Sequence, residues 1–488
     1  MTHRSPSSPR HLLRLSAALL ITVCIPFRLP HAACADEAHH GSGANAHVAA
    51  ERPTPARPTP PSWRAGVARA VITPPKLMWM SGYASRNRPA EGKLHDLWAK
   101  ALVLEDGTRR YVLVTLDLVG IGRELSDRIR RQLERTHGLK RSQITLATSH
   151  THTGPVVGRN LATMYFLDAE QKRRVAEYAD FLTTRIVRAV GQAFADLAPA
   201  TLHYGENHAA FAVNRRNNRE ADVPRLREAG QLRGPVDHSV PVLAVRRPDG
   251  SLKAIVFGYA CHATVLSFYK WSGDWPGFAQ LEIEHRHPGA TALFVAGCGA
   301  DQNPLPRRKV EYAERYGREM ADAVDRALSG DLRRLTPALR FAYEEIPLAF
   351  DRLPTEAELQ RDTTSDNRYI AARARALLQE LRKHGRLAPA YPYPVQVVRV
   401  GELCMVVLGG EVVVDYALRL KRELAPRTAW IVAYANDVPA YIPSLRVLKE
   451  GGYEGETSMI YYGRPSRWSP NVEEHIIRTV HRLVHATD

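Results

Sequence analysis

Ser149-His150-Thr151-His152-Thr153-Gly154-Pro155 sets two imidazoles two residues apart, directly after the β-rich run 143–148. On an extended backbone residues i and i+2 point to the same side. His150 and His152 are therefore expected to face one site, with Gly154-Pro155 turning the chain away. Paired imidazoles at a strand end suit Zn²⁺ binding and leave one ring for proton transfer. The bland alternative is a satisfied core or surface pair. His262 repeats the arrangement, because Cys261-His262-Ala263-Thr264 follows the apolar strand 255–260. Glu411 does so again, after the apolar stretch 405–408 and Gly409-Gly410. Its position reads as a helix start, where a carboxylate is also favoured by the helix dipole alone. Two histidines and a carboxylate match the donor set of open catalytic zinc sites. Other hydrolase signatures are missing: no Asp-His follows His152, and neither HExxH nor GxSxG occurs.

Hairpins and helices must position these residues. The β-rich segments 98–105 and 110–116 flank Asp106-Gly107, and 240–247 and 252–259 flank Asp249-Gly250, both strong hairpin signals. Segments 292–296, 338–347, 395–400, 403–408 and 429–434 read as further strands. Helical patterns cover 124–136, 169–195, 310–328, 412–423 and 472–484. Residues 355–384 form a charged, mostly helical segment, and 355–387 resembles an inserted excursion. Hairpins mixed with helices argue against a purely parallel doubly wound sheet. The expectation is one large α/β (α+β) catalytic domain with mixed β-sheets and flanking helices, over residues 63–488.

The N-terminus has the layout of an export signal. Arg4, Arg10 and Arg14 precede the apolar run 15–27, and Ala33-Cys34-Ala35 offers a small-residue cleavage site. Residues 1–35 are thus expected to be a signal peptide of a secreted or periplasmic protein, the alternative being a retained anchor. Residues 36–62, with Pro53, Pro55, Pro58, Pro60 and Pro61, read as an extended linker. Cys261, Cys298 and Cys404 remain beyond the leader, without disulfide-framework spacing, and are expected as buried small residues. The 488-residue chain carries a net charge of +16; without residues 1–35, which hold four Arg and no acids, it is +12. That balance suits an anionic membrane or cell-envelope surface. No aromatic-interleaved basic tract or zinc-finger spacing supports a nucleic-acid partner.

An ordered series of motifs resembles the neutral/alkaline, non-lysosomal ceramidases over roughly residues 63–462. The series includes Gly82-Tyr83-Ala84, Leu94-His95-Asp96-Leu97-Trp98-Ala99, Thr115-Leu116-Asp117, the His150 segment, and Val213-Asn214-Arg215-Arg216. It continues through Cys261-His262-Ala263-Thr264, Gly273-Asp274-Trp275-Pro276-Gly277, Gly299-Ala300-Asp301-Gln302-Asn303-Pro304, Gly409-Gly410-Glu411, Tyr441-Ile442-Pro443 and Gly452-Tyr453-Glu454-Gly455. The resemblance implies a Zn²⁺ ion held by His150, His262, Glu411 and Tyr441. It implies His152 as the catalytic histidine beside the metal, Arg215 at the substrate carbonyl or oxyanion, and Tyr453 hydrogen-bonding near the amide. Arg216 and Tyr434 are the neighbours that a small register shift would substitute.

Two departures stand out. The family's C-terminal immunoglobulin-like domain is expected to be absent after the Tyr453 motif, and the Gly299–Pro304 stretch lacks the family's serine. The second favours metal-activated water over a serine nucleophile. The implied activity is zinc-dependent hydrolysis of a linear N-acyl amide, with a small-molecule or lipid substrate. Alternatives are another ester or N-acyl substrate on the same site, an amidohydrolase barrel, and a non-catalytic metal-dependent glycan or lipid binder. A barrel would need eight parallel strands, against which the two Asp-Gly hairpins argue. Oligomeric state is unreadable from sequence.

Overall fold

The computed structural model describes residues 62–488. The expected signal peptide, and the linker apart from Ser62, lie outside the described residues. The first strand, Trp63–Val71, starts at the expected beginning of the folded domain.

Two mixed sheets organise the fold. The larger has nine strands. Its path runs Thr291–Ala296, Leu252–Tyr259, Ser239–Arg246, Ala198–His208, Trp63–Val71, Trp98–Glu105, Arg110–Leu116 and Ile144–Thr148, with Arg333–Arg334 pairing beside Ala198–His208. Only the two outermost pairings of that path are parallel; those between are antiparallel. The smaller sheet runs Leu339–Ala349, Ala390–Val400, Leu403–Leu408 and Thr428–Val432, with a parallel last pair.

The strands read as near-continuous apolar runs because both sheet faces are covered. Alternate residues enter different cores. Ala99, Ala101 and Val103 join the helix-side core, while Leu102 and Leu104 join a second core. That second core also takes Val398, Val400, Met405 and Val407 from the smaller sheet, so the two sheets pack face to face. Helices Ala169–Ala195, Asp274–Arg286 and Val310–Ser329 cover the outer face of the large sheet, and Val414–Glu423 and Val472–His485 cover the small one. No helix among the described residues is long and apolar enough to cross a membrane.

The expected hairpins occur with their Asp-Gly turns. The charged segment 355–384 is two helices, Glu356–Asp362 and Arg368–His384, rather than one. Asn367 caps the second by accepting from the Tyr369 and Ile370 amides. Trp63–Val71, Ala198–His208 and Asp274–Arg286 were not anticipated. The last is buried on so many sides that it has no amphipathic stripe to read. The three cysteines are buried and free, as expected.

Candidate metal centre

His150 lies just beyond the edge strand Ile144–Thr148. Its φ is 58°, in the left-handed region, which costs a non-glycine residue about 1 kcal/mol. The two histidines therefore share a site for a different reason from the extended backbone expected. Thr151 bridges to Ala263, and the His152 amide donates to the Ala263 carbonyl at 3.2 Å. This stitching lays the His150 segment against the one carrying His262. The His150 ring centroid is 4.8 Å from those of both His152 and His262, nearly perpendicular to each.

Glu411 requires a correction. It does not begin a helix; Glu411–Val412 is a short strand parallel to Tyr441–Ile442, and the helix starts at Val414. In that register Glu411 stands beside Tyr441. Gly410, at φ 76°, permits the close approach, since a Cβ there would lie 2.8 Å from the Ala440 carbonyl oxygen. The Gly-Gly-Glu signal resembles a helix start because the next helix follows within three residues.

Hydrogen bonds fix the tautomers of two rings. His150 Nδ1 is 2.6 Å from the Val119 carbonyl oxygen and His262 Nδ1 is 2.8 Å from that of Gly299. A carbonyl only accepts, so each Nδ1 carries its hydrogen, and Nε2 is left as the nitrogen that can offer a lone pair. Those lone pairs converge. Glu411 Oε2 is 3.0 Å from His150 Nε2 and 3.3 Å from His262 Nε2. The Tyr441 hydroxyl is 3.4 Å from His262 Nε2, and His152 Nε2 is 3.1 Å from His150 Nε2. Glu411 Oε2 is buried without a hydrogen-bond partner.

A carboxylate oxygen packed against imidazole nitrogens is repelled unless a proton or a cation lies between them. Donors about 2.0–2.1 Å from a tetrahedral zinc ion are about 3.3 Å apart, close to these spacings. The tied Nδ1 atoms match the way metal-binding histidines are usually held. The donor set thus fits a divalent metal. Among the described residues His150, His152 and His262 form a buried cluster compact enough to hold one.

Charge states agree with that fit. Burial, reinforced by Arg215, lowers the His262 pKa to about 4. Burial and the other two histidines hold His152 well below its usual range. Burial alone would raise Glu411, but the charge and hydrogen bonds that the His150 and His262 rings supply when protonated more than offset it and keep the group well below the ordinary carboxylate range. Neutral His152 and His262 beside an ionised carboxylate are the forms that bind a cation. Burial and the Glu411 charge push the Tyr441 hydroxyl up, so it stays a phenol.

Arg215 is delivered by a short antiparallel ladder. Gln302–Pro304 pairs with Ala212–Asn214, and the Arg215 amide donates to the Asp301 carbonyl at 2.8 Å. Arg215 then donates to the Tyr441 hydroxyl at 3.2 Å and from Nε to Glu454 at 2.7 Å, with Nη1 3.5 Å from His262 Nε2. Arg216 points elsewhere, to Glu450 and Glu454. Tyr453 is 40% exposed at the edge of the centre, its ring 5.3 Å from that of Tyr441. Tyr434 packs its ring 4.4 Å from His150, so it supports the imidazole from the side.

Two contributors were given no role by the sequence. The Tyr462 hydroxyl donates to Glu411 Oε1, the oxygen facing away from the histidines. Glu454 bridges Arg215 and Arg216. Both depend on tertiary approach that no local spacing announces.

With this geometry in view, residues 63–303 match the sequence model of the family described as neutral/alkaline non-lysosomal ceramidase, N-terminal. This stretch of the chain belongs to the neutral ceramidase family. Its relatives include a neutral ceramidase of Mycobacterium tuberculosis, 26% identical, with 79% of this chain and 71% of that protein covered. The fold is similar to the crystal structure of neutral ceramidase from Pseudomonas aeruginosa, at a TM-score of 0.67 and 20% identity, covering 87% of this chain and 74% of that one. A ceramidase complexed with C2 gives a TM-score of 0.65 at 19% identity, covering 86% and 74%. Within the family match lie His150, His152, Arg215 and His262; Glu411 and Tyr441 come from beyond it.

Proposed function

We propose that this chain is a metal-dependent amidohydrolase that cleaves the N-acyl bond of a ceramide-type lipid, with Zn²⁺ as its metal. The convergence of the His150 and His262 Nε2 lone pairs on the unpartnered Glu411 Oε2 carries the reading. Family membership supplies the substrate class, an N-acylated sphingoid lipid. Imidazole and carboxylate donors suit zinc among the common divalent ions.

His150, His262, Glu411 and Tyr441 would hold the ion. When bound, it supplies Lewis acidity and brings the pKa of water toward neutrality. The protein's own groups do the rest. His152 is neutral and its Nδ1 has no hydrogen-bond partner, so the ring is free to accept a proton from the attacking water. The water oxygen forms the new bond to the acyl carbon. Arg215, charged and anchored by Glu454, donates to the substrate oxygen as negative charge gathers there. The C–N bond then breaks, and the proton held by His152 passes to the leaving amine. Tyr453, at the open edge, hydrogen-bonds the substrate beside the amide.

The test is hydrolysis of ceramides and other N-acyl amides and esters by zinc-loaded protein, before and after chelation. Ceramide turnover that chelation abolishes and zinc restores is the expected result. Undiminished turnover after complete metal removal would sink the reading, and turnover of esters alone would redirect it to another acyl substrate.

A further inference from the structure

His152 is held differently from its two neighbours. His150 and His262 each have Nδ1 tied to a carbonyl, whereas His152 Nδ1 is buried with no partner. A ring that must shuttle a proton cannot have both nitrogens fixed, yet it still needs an orientation. The segment Ser81–Arg86 supplies one. Gly82, at φ 93°, passes so close that a Cβ there would lie 2.5 Å from His152 Cγ. The Tyr83 ring meets the imidazole edge-on at 4.8 Å between centroids, and its hydroxyl donates to the Leu266 carbonyl at 3.0 Å.

Arg86 locks this packing. It is buried and has no carboxylate partner among the described residues. Its guanidinium instead donates to three carbonyls on three separate segments: Ser81 at 3.2 Å, His152 at 2.8 Å and Phe268 at 3.1 Å. The Tyr83 and Tyr269 rings lie against it, at 5.3 and 5.1 Å from the guanidinium carbon. Burying an unpaired guanidinium is costly unless its donors are satisfied. An aliphatic residue would fill such a space at lower cost. The planar fork of donors is what a hydrocarbon cannot provide.

We infer that Arg86 is a positioning residue for His152: it fixes the backbone of the proton-transferring histidine against the segment following His262, and leaves the ring nitrogens free. This rests on the proposed role of His152. Arg86 makes no hydrogen bond to any of the proposed metal donors. Its effect must therefore pass through His152, and misplacing a catalytic group by about 1 Å costs on the order of 10²-fold in rate.

A double-mutant cycle decides it, with zinc content measured on every variant. Arg86→Met keeps the aliphatic stem and removes the fork. In the parent enzyme it is expected to lower kcat by about 10²-fold while zinc stoichiometry is kept. In a His152→Ala background the same change is expected to alter the residual kcat by no more than about twofold. Arg86→Lys, which keeps one donor group, is expected to fall between. An equal loss in both backgrounds, a loss matched by loss of zinc, or no loss in the parent overturns the inference. Should Arg86→Met not fold, the cycle is run with Arg86→Lys, and the same outcomes support or overturn the inference. Failure of the proposed function looks different, since the parent itself would then cleave no N-acyl amide, or His152→Ala would leave turnover intact.

Discussion

The core between the two sheets and the centre at the sheet edge are built on opposite terms. Between the sheets, Leu102, Leu104, Leu243, Val256, Val398, Met405 and Val407 alternate inward from regular strands and are almost wholly buried. Every local preference there agrees with the fold. At the centre His150 and Tyr434 take left-handed backbone, Glu411 Oε2 and the Tyr434 hydroxyl are buried without partners, and lone pairs face one another. Such violations concentrate where chemistry is done, and the well-packed region supports them. The contrast predicts that one region can be weakened without touching the other.

That separation can be tested from both sides. The largest effect is expected from His152→Ala, which removes the proposed proton carrier and none of the four proposed donors. kcat is expected to fall by about 10²–10⁴-fold with zinc content unchanged, measured by steady-state kinetics beside elemental analysis. Loss of zinc in that variant would instead make His152 a ligand. Arg215→Ala is expected to lower kcat by about 10²–10³-fold, through loss of the charge facing the substrate oxygen. A rise in KM at constant kcat would assign Arg215 to binding alone.

Tyr462→Phe removes one hydrogen bond from the far oxygen of Glu411. Metal affinity is expected to weaken by about 10–100-fold in a competition titration against a chelator. On the other side of the comparison, Leu243→Ala opens a cavity between the sheets. It should cost about 2–5 kcal/mol of stability, seen in denaturant unfolding, while zinc stoichiometry and kcat below the transition stay as in the parent. A change in kcat there would show that the two regions are coupled after all.

The sequence is most readable where structure is local. Asp106-Gly107 and Asp249-Gly250 announce their hairpins because Gly107 and Gly250 supply the positive φ that such tight turns need. The helix Ala169–Ala195 matches its expected bounds because a sustained periodic pattern follows a capping Asp168. Pairing order is not readable. Nothing local says that Ala198–His208 lies beside Trp63–Val71, or that a short ladder joins Glu411 to Tyr441. At the centre, the residues named from motifs do converge, with Arg215 nearer than Arg216. The backbone that brings them together differs from the extended strand and helix start expected. Tyr462 and Arg86 carry no local signal, and Glu454 only a place beside Tyr453 in a motif, because each acts on a segment remote in the chain.

The four proposed donors reach the centre from widely spaced stretches of the chain: imidazoles at residues 150 and 262, and a carboxylate and a phenol from the last quarter. During synthesis the nitrogen donors emerge long before either oxygen donor exists. A growing chain therefore has no complete site to offer until residue 441 has been made and the Glu411–Tyr441 pairing has formed. Capture of an ion by all four proposed donors would then come at the end of folding rather than at its start. An ion bound by all four donors would join early and late stretches of the domain, and its presence would certify a finished molecule.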